Sequence, residues 1–214
     1  MTTLLPAVDC VAEAAREHLL RLEGDVEYWR LRTAVLTALT AGTTFTGFPV
    51  ISHWDAARDG GPLFEEALRA LALRAAVLER TSDPIAALLP LAVPVDAMVH
   101  VVLAQGPLAW RVAEGTGVSL VHQGDQENVA YVNGCYTCAC YRQAWGEPPG
   151  RYWLDQAESA RRQDHLGACY ESIGLARDGR AHRIDFTANT SSSSRPQALS
   201  GEGHAGLAPH GAST

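Results

Sequence analysis

Three of the five cysteines lie within six residues, at Cys135, Cys138 and Cys140. A thiolate is a soft, charged ligand, and three thiolates so close together repel one another unless a metal ion or oxidation neutralises the charge. The spacing therefore predicts metal chemistry. Two other interpretations stay open: a zinc or iron–sulfur site that takes its fourth ligand from elsewhere in the chain, and three thiols that are simply small buried groups.

The same segment also offers ligands from its main chain. If Cys138 and Cys140 lie on one side of a metal ion, the amide nitrogens of Ala139 and Cys140 fall between the two sulfurs. Deprotonated, these amides complete a square plane, and Cys135 reaches the ion along the perpendicular axis. A set of this kind suits a small trivalent ion, Co(III) first or Fe(III), better than zinc, which has no geometric preference from its d electrons. The sixth position stays open for water or substrate.

A diproline segment with the sequence Pro-Pro-Gly-Arg-Tyr-Trp follows at residues 148–153. With these residues, the stretch 128–162 resembles the alpha subunit of nitrile hydratase and the related thiocyanate hydrolase, whose metal-binding claw reads Cys-Thr/Ser-Leu-Cys-Ser-Cys before a Pro-Pro-x-Trp-Tyr segment. The chain departs from that pattern at Tyr136 and Ala139, and its gap between claw and diproline is one residue shorter. The change at position 136 removes the usual guide to cobalt or iron.

The resemblance implies a modified metal centre. Cys138 and Cys140 would be oxidised to sulfinic and sulfenic acid, Cys135 would stay a thiolate, and the sulfenate oxygen would act as nucleophile or base. In that family, arginines that hold the oxidised sulfurs come largely from a beta subunit. Either this chain has such a partner, or an arginine of its own, Arg142, Arg151 or Arg161, takes that role. The predicted catalytic residues are Cys138, Cys140 and Arg142.

Three functions follow from these residues. The first is hydration of a small organic nitrile to an amide by the trivalent ion acting as a Lewis acid. The second applies the same ion to another electrophile, such as a ketone or imine of a heteroaromatic intermediate in secondary metabolism, in a single-chain enzyme. The third is a non-enzymatic zinc or metal-handling module. The expected partners are a small-molecule substrate and either a beta-like subunit or further copies of the chain.

Composition excludes several other classes of function. The net charge of −7 over 214 residues argues against a surface that binds the phosphates of nucleic acid. The sequence has no apolar run of about 18 residues and no basic start followed by an apolar segment, which predicts neither a membrane span nor export. We therefore expect a cytoplasmic protein.

The claw needs elements that position it, and the hydrophobic pattern predicts an α+β fold. Two helices are expected over residues 8–40, divided at Gly24-Asp25, and another from Pro62 to Arg80. The loop between them contains His53-Trp54-Asp55, which is a capping cluster or, less simply, a catalytic one. Apolar, β-branched stretches then predict strands, which include His100 and His122, at residues 97–104, 108–112, 118–122 and 129–132.

In this prediction the claw sits at the end of a strand, in a loop opened by Asn133-Gly134. A helix at 154–170 and a last hairpin at 172–186 follow. The resemblance implies a helical arm at 1–42 and a layered αββα catalytic domain at 43–187. The Ser- and Gly-rich composition of residues 188–214 predicts a disordered tail.

Overall fold

A computed structural model describes residues 4–41, 50–122 and 131–173. Seven helices are present in this part of the chain: α1 (Val8–Gly24), α2 (Tyr28–Ala41), α3 (Ala56–Thr81), α4 (Val93–Leu103), α5 (Gly106–Thr116), α6 (Tyr136–Trp145) and α7 (Gln156–Ile173). Among the described residues there is no strand. The predicted α+β class, with its layered αββα domain, is therefore wrong.

The 26-residue helix α3 is the centre of the fold and packs against α1, α2, α4 and α6. Its side chains are buried on almost every side between Leu63 and Val77 because helices surround it. Asp55 caps its start by accepting hydrogen bonds from the amides of Ala57 and Arg58 at 2.9 and 3.2 Å. Ser82 ends it in the left-handed conformation, with φ of 52°.

The prediction placed the start of this helix too late, at Pro62. The pair Gly60-Gly61 resembles a loop in sequence, but in the structure it allows α2 to approach closely: a Cβ at Gly60 would meet the Leu36 side chain at 3.0 Å. The glycines therefore serve helix packing. The simpler interpretation of the cluster before them is confirmed, because Asp55 is the helix cap.

The predicted strands at 97–104 and 108–112 are the helices α4 and α5. A short apolar run cannot be assigned by periodicity alone, and the valines of α4 favoured a strand. In the structure its buried side chains recur at helical spacing, at Val95, Met98, Val99 and Val102. His100 accordingly lies on a helix.

The other predicted strands also differ from the structure. Residues 118–122, with His122 at their end, have no regular structure, and neither do 131–132. The cysteine segment thus lies at the start of a helix and not at the end of a strand. The first residues of the hairpin predicted at 172–186 belong instead to α7, which ends at Ile173. The rest of that hairpin, residues 129–130, and the domain boundaries at 42/43 and 187/188 lie outside the described residues, so those expectations stay predictions.

The two-helix beginning of the chain is confirmed. α1 and α2 are separated by Asp25, whose carboxylate accepts a hydrogen bond from the Glu27 amide at 2.8 Å, at the turn that leads into α2. In the described ranges, no helix is both long and apolar enough to cross a membrane.

Candidate functional site

The cysteine segment forms the amino end of α6. Cys135 is the residue before the helix, and Cys138 and Cys140 lie in its first two turns. Gly134, just before the segment, has φ of 85°, a conformation that favours glycine. The preceding turn is closed by a hydrogen bond from the Cys135 amide to the Val132 carbonyl at 3.0 Å.

The helix directs the cysteines to different surroundings. In an α-helix, residues two apart point about 200° away from each other, so Cys138 and Cys140 do not share a face. The thiol of Cys138 lies against the Tyr131 hydroxyl, and that of Cys140 lies against the Tyr136 hydroxyl. Both thiols are fully buried, and Cys135 is half-buried.

The claw is not assembled in this conformation. Among the described residues, the three sulfurs do not form a group in which all lie within 4.8 Å of one another. The amide of Ala139 donates to the Cys135 carbonyl at 3.0 Å, and Cys140 lies within the helical hydrogen-bond pattern. The residues present therefore do not fit a square-planar ion until the first turn of α6 opens.

The Cys140 side chain is a neutral thiol at neutral pH in this arrangement. Burial is the main reason that its pKa is raised to about 11; a hydrogen bond with Tyr136 opposes the shift, and nearby Cys135 adds to it. Burial is also the main cause of the raised pKa of Tyr136, whose hydroxyl donates to the Pro6 carbonyl at 2.7 Å. Binding of a metal ion would have to displace the proton from a well-packed thiol.

Each of the three candidate arginines is already paired with a carboxylate. Arg142 makes two hydrogen bonds of 2.6 Å to Glu147, which raise the pKa of its guanidinium and lower that of the Glu147 carboxyl. Arg161 binds Glu158 through two bonds of 2.8 Å. Arg151 binds a carboxylate of α3. Arg142 lies one turn after Cys138 and interacts with it electrostatically, which makes it the arginine nearest to the predicted role.

Two buried carboxylates of α3, missed by the sequence analysis, hold the diproline segment. The first is Asp59, 2 % exposed, which accepts two hydrogen bonds of 3.0 Å from Arg151 and further ones from Arg58 and the Asp55 amide. Burial alone would raise its pKa, but the hydrogen bonds from Arg151, Arg58 and Asp55 lower it to about 2. The Tyr152 hydroxyl completes the group at 3.4 Å.

The second is Glu66, 3 % exposed. It accepts a hydrogen bond from the Tyr141 hydroxyl at 2.8 Å and one from the Trp153 indole at 2.7 Å, and it pairs with Arg69. Glu66 thus connects α3 with α6 and with the residues after the diproline. Asp59 and Glu66 are seven residues apart, two helical turns, so their side chains lie on the same face of α3.

A surface cleft of about 480 Å³ lies beside α6. The Arg142–Glu147 pair, Asn133 and Trp153 are part of its wall, together with Pro148, Gly150, Leu154, Asp155 and Glu158. The cleft therefore joins the loop before the cysteines to the diproline segment. Its mixture of an indole, an amide and a charged pair suits a small polar organic molecule.

Comparison with known proteins gives no relative for this arrangement: no family model, no curated protein and no solved structure matches the chain.

Proposed function

We propose that this protein is a metalloprotein in which Cys135, Cys138, Cys140 and the Ala139 amide hold a trivalent ion, Co(III) first or Fe(III). The observation that carries the proposal is the concentration of three thiols at the amino end of α6, next to a cleft that a small molecule can enter. The activity follows from the resemblance of the segment: hydration of a small nitrile to an amide.

Metal binding is coupled to the opening of the first turn of α6. The helical form ties up the Ala139 amide and separates two of the thiols, so the claw requires a few hydrogen bonds to be exchanged for metal–ligand bonds. Binding energies of structural metal sites are large enough to drive such local refolding, about 10 kcal/mol or more for zinc in small peptides. Gly134, with open space around its Cα, allows the backbone to change direction at this point.

The surroundings of that turn stay fixed during the change. Glu66 holds Tyr141 in the second turn of α6, and Asp59 holds Arg151 after the diproline. Only the stretch from Gly134 to Cys140 has to move. The cleft wall formed by Trp153 and its neighbours therefore keeps its shape while the metal site forms.

Elemental analysis of the purified chain tests the metal. We expect about one equivalent of cobalt or iron, loss of metal in Cys135→Ser, Cys138→Ser and Cys140→Ser, and retention in the control Cys169→Ser. Intact mass should show about three added oxygen atoms if one sulfinic and one sulfenic acid form. Equal loss of metal in all four variants, or a metal-free chain that is fully active, contradicts the proposal.

Amide hydrogen exchange tests the opening of α6 directly. A metal-loaded chain should carry two fewer amide hydrogens in residues 136–141 than the metal-free chain, because the Ala139 and Cys140 amides are deprotonated on the ion. An unchanged count with metal bound would mean that the sulfurs bind without the backbone. Zinc with unoxidised cysteines would support the metal-handling alternative instead.

Conversion of small aliphatic and aromatic nitriles to amides tests the activity. Of the three candidate arginines, Arg142 alone is among the described residues that line the cleft. A beta-like subunit could supply further arginines, so the assay is run on the metal-loaded chain alone and again with candidate beta-like subunits added. Loaded metal without amide formation would direct the search to other electrophiles, such as ketones and imines.

A further inference from the structure

A second group of metal-binding side chains lies where α4 meets the residues after α5, next to Arg74 of α3. Asp96 and His100 are four residues apart on α4, and His122 follows α5. The Nε2 atoms of His100 and His122 are 3.0 Å apart, and their rings meet edge to face at a centroid distance of 4.3 Å. An Asp96 carboxylate oxygen is 3.4 Å from His100 Nε2 and the other is 3.9 Å from His122 Nδ1.

We propose that Asp96, His100 and His122 form a binding site for a divalent transition metal of the zinc class, separate from the cysteine segment. One ligand atom from each of the three residues lies within 4.8 Å of the other two. Around a tetrahedral zinc ion with ligand bonds of about 2.0–2.1 Å, neighbouring ligand atoms are roughly 3.3 Å apart. The observed separations of 3.0 and 3.4 Å bracket that value, so small side-chain shifts bring the three atoms onto one ion.

The ligand types select the kind of metal. Two imidazole nitrogens and one carboxylate oxygen suit zinc, cobalt, nickel or copper, whereas calcium and magnesium prefer shells made of oxygen. The His100 side chain is 47 % exposed and that of Asp96 38 %, so an ion can reach the site from solvent. With three protein ligands, the fourth position faces water.

The helical spacing of Asp96 and His100 supports a preformed site. Residues four apart on a helix present their side chains side by side, so two of the three ligands are positioned by α4 itself. Their backbone is fixed by the neighbouring Val95, Val99 and Met98, all 0 % exposed. The site therefore depends on only one ligand, His122, from another part of the chain.

The guanidinium of Arg74 lies beside His122 and lowers the expected affinity of this site for a metal ion. Its Nη1 lies 2.6 Å from His122 Nδ1, and its other nitrogens donate to the Leu89 carbonyl at 3.2 and 2.7 Å. When His122 Nε2 binds a metal, Nδ1 carries the proton and faces the guanidinium as a second donor. The guanidinium must then turn away from the ring, so the native site is weaker than one in which position 74 offers an acceptor.

Zinc titration calorimetry on a chain without the three clustered cysteines tests the site. In the Cys135→Ala, Cys138→Ala, Cys140→Ala background we expect one zinc equivalent to remain. His100→Ala in this background should weaken zinc binding at least about tenfold, because one of three ligands is lost. The matched control His165→Ala, on α7, should leave it unchanged. The three cysteines of the proposed trivalent-ion site are absent from this background. Zinc binding here therefore reports on the Asp96–His100–His122 site whether or not the cysteine site exists.

A variant that gains affinity separates a metal site from a histidine pair that is merely hydrogen-bonded. Arg74→Gln removes the opposing charge and offers an amide oxygen to His122 Nδ1, so zinc should bind more tightly, by about tenfold. Co(II) absorption of the chain that keeps its cysteines provides a second measurement if a variant in the cysteine-free background fails to fold. In that chain, His100→Ala should remove the visible d–d bands of the Asp96–His100–His122 site and leave any thiolate charge-transfer bands unchanged. The absence of zinc binding in the background, or equal affinity with and without His100, overturns the proposal.

Discussion

The buried carboxylate of Asp59 should make a measurable, pH-dependent contribution to stability. Its pKa is about 2 in the folded chain against an ordinary value of 3.8. The ionised carboxylate therefore adds about 2.4 kcal/mol to the free energy of unfolding at pH 7. Because the folded pKa is lowered, this contribution is complete above pH 4–5 and is lost as the pH falls toward 2. At pH 3 about half of it, roughly 1.3 kcal/mol, should remain.

Asp59→Asn is the direct perturbation. It removes the acceptor charge that holds Arg151 and Arg58 while nearly preserving shape, and breaking a buried ion pair costs about 3–5 kcal/mol. We expect a smaller loss than that range, about 2–3 kcal/mol at pH 7, because the Arg151 side chain is 37 % exposed and regains water. Glu65→Gln, an exposed position on the same helix, is the matched control and should change stability by less than about 0.5 kcal/mol.

Urea unfolding of the native chain, Asp59→Asn and Glu65→Gln at pH 7, 5, 4 and 3 measures the effect. The difference between the native chain and Asp59→Asn should be constant from pH 7 to 5 and shrink by about 1 kcal/mol at pH 3. A difference that stays the same down to pH 3 would refute the reasoning, because it would show that the carboxylate's charge is not what stabilises the fold. A loss no larger than that of Glu65→Gln would refute the ion pair itself.

Three further predictions concern neighbouring groups. Glu66→Gln should destabilise the chain by about 2–4 kcal/mol in urea unfolding, since the Trp153 indole loses a charged acceptor, and the tryptophan fluorescence should shift; an unchanged midpoint would contradict the buried network. A thiol reagent at pH 8 should modify exposed Cys10 rapidly and Cys140 only after denaturation, because Cys140 is buried with a pKa of about 11; equal rates would place Cys140 at the surface. Gly134→Ala should cost about 1–2 kcal/mol, measured by thermal unfolding, because φ is 85° there and no atom within 4 Å would clash; a neutral effect would mean that the turn adopts another conformation.

The sequence allowed the helical beginning of the fold to be predicted, but not its middle. Gly24-Asp25 and the apolar spacing around it gave the boundary between α1 and α2 correctly, because both signals are local. In α4, valine side chains are buried on several faces, so the period that separates helix from strand is blurred.

The polar network around the site illustrates a second limit. Nothing in the local sequence distinguishes buried Glu66 from exposed Glu65, because their burial depends on which helices cover that side of α3. Arg151 was recognised as an arginine near the cysteines, but its partner is 92 residues earlier in the chain. Long-range pairs of this kind require the fold to be known.

The two acceptors on α3 also restrict how this side of the molecule can move. Seven residues span about 10.5 Å along a helix, so Asp59 and Glu66 accept hydrogen bonds from their donors at two positions about 10.5 Å apart along the axis of α3. A slide of the diproline segment along α3 by even one turn, about 5.4 Å, would leave both carboxylates facing the wrong side chains. A rearrangement of α6 that keeps both carboxylates paired is therefore limited to the residues ahead of Tyr141, which include the three cysteines.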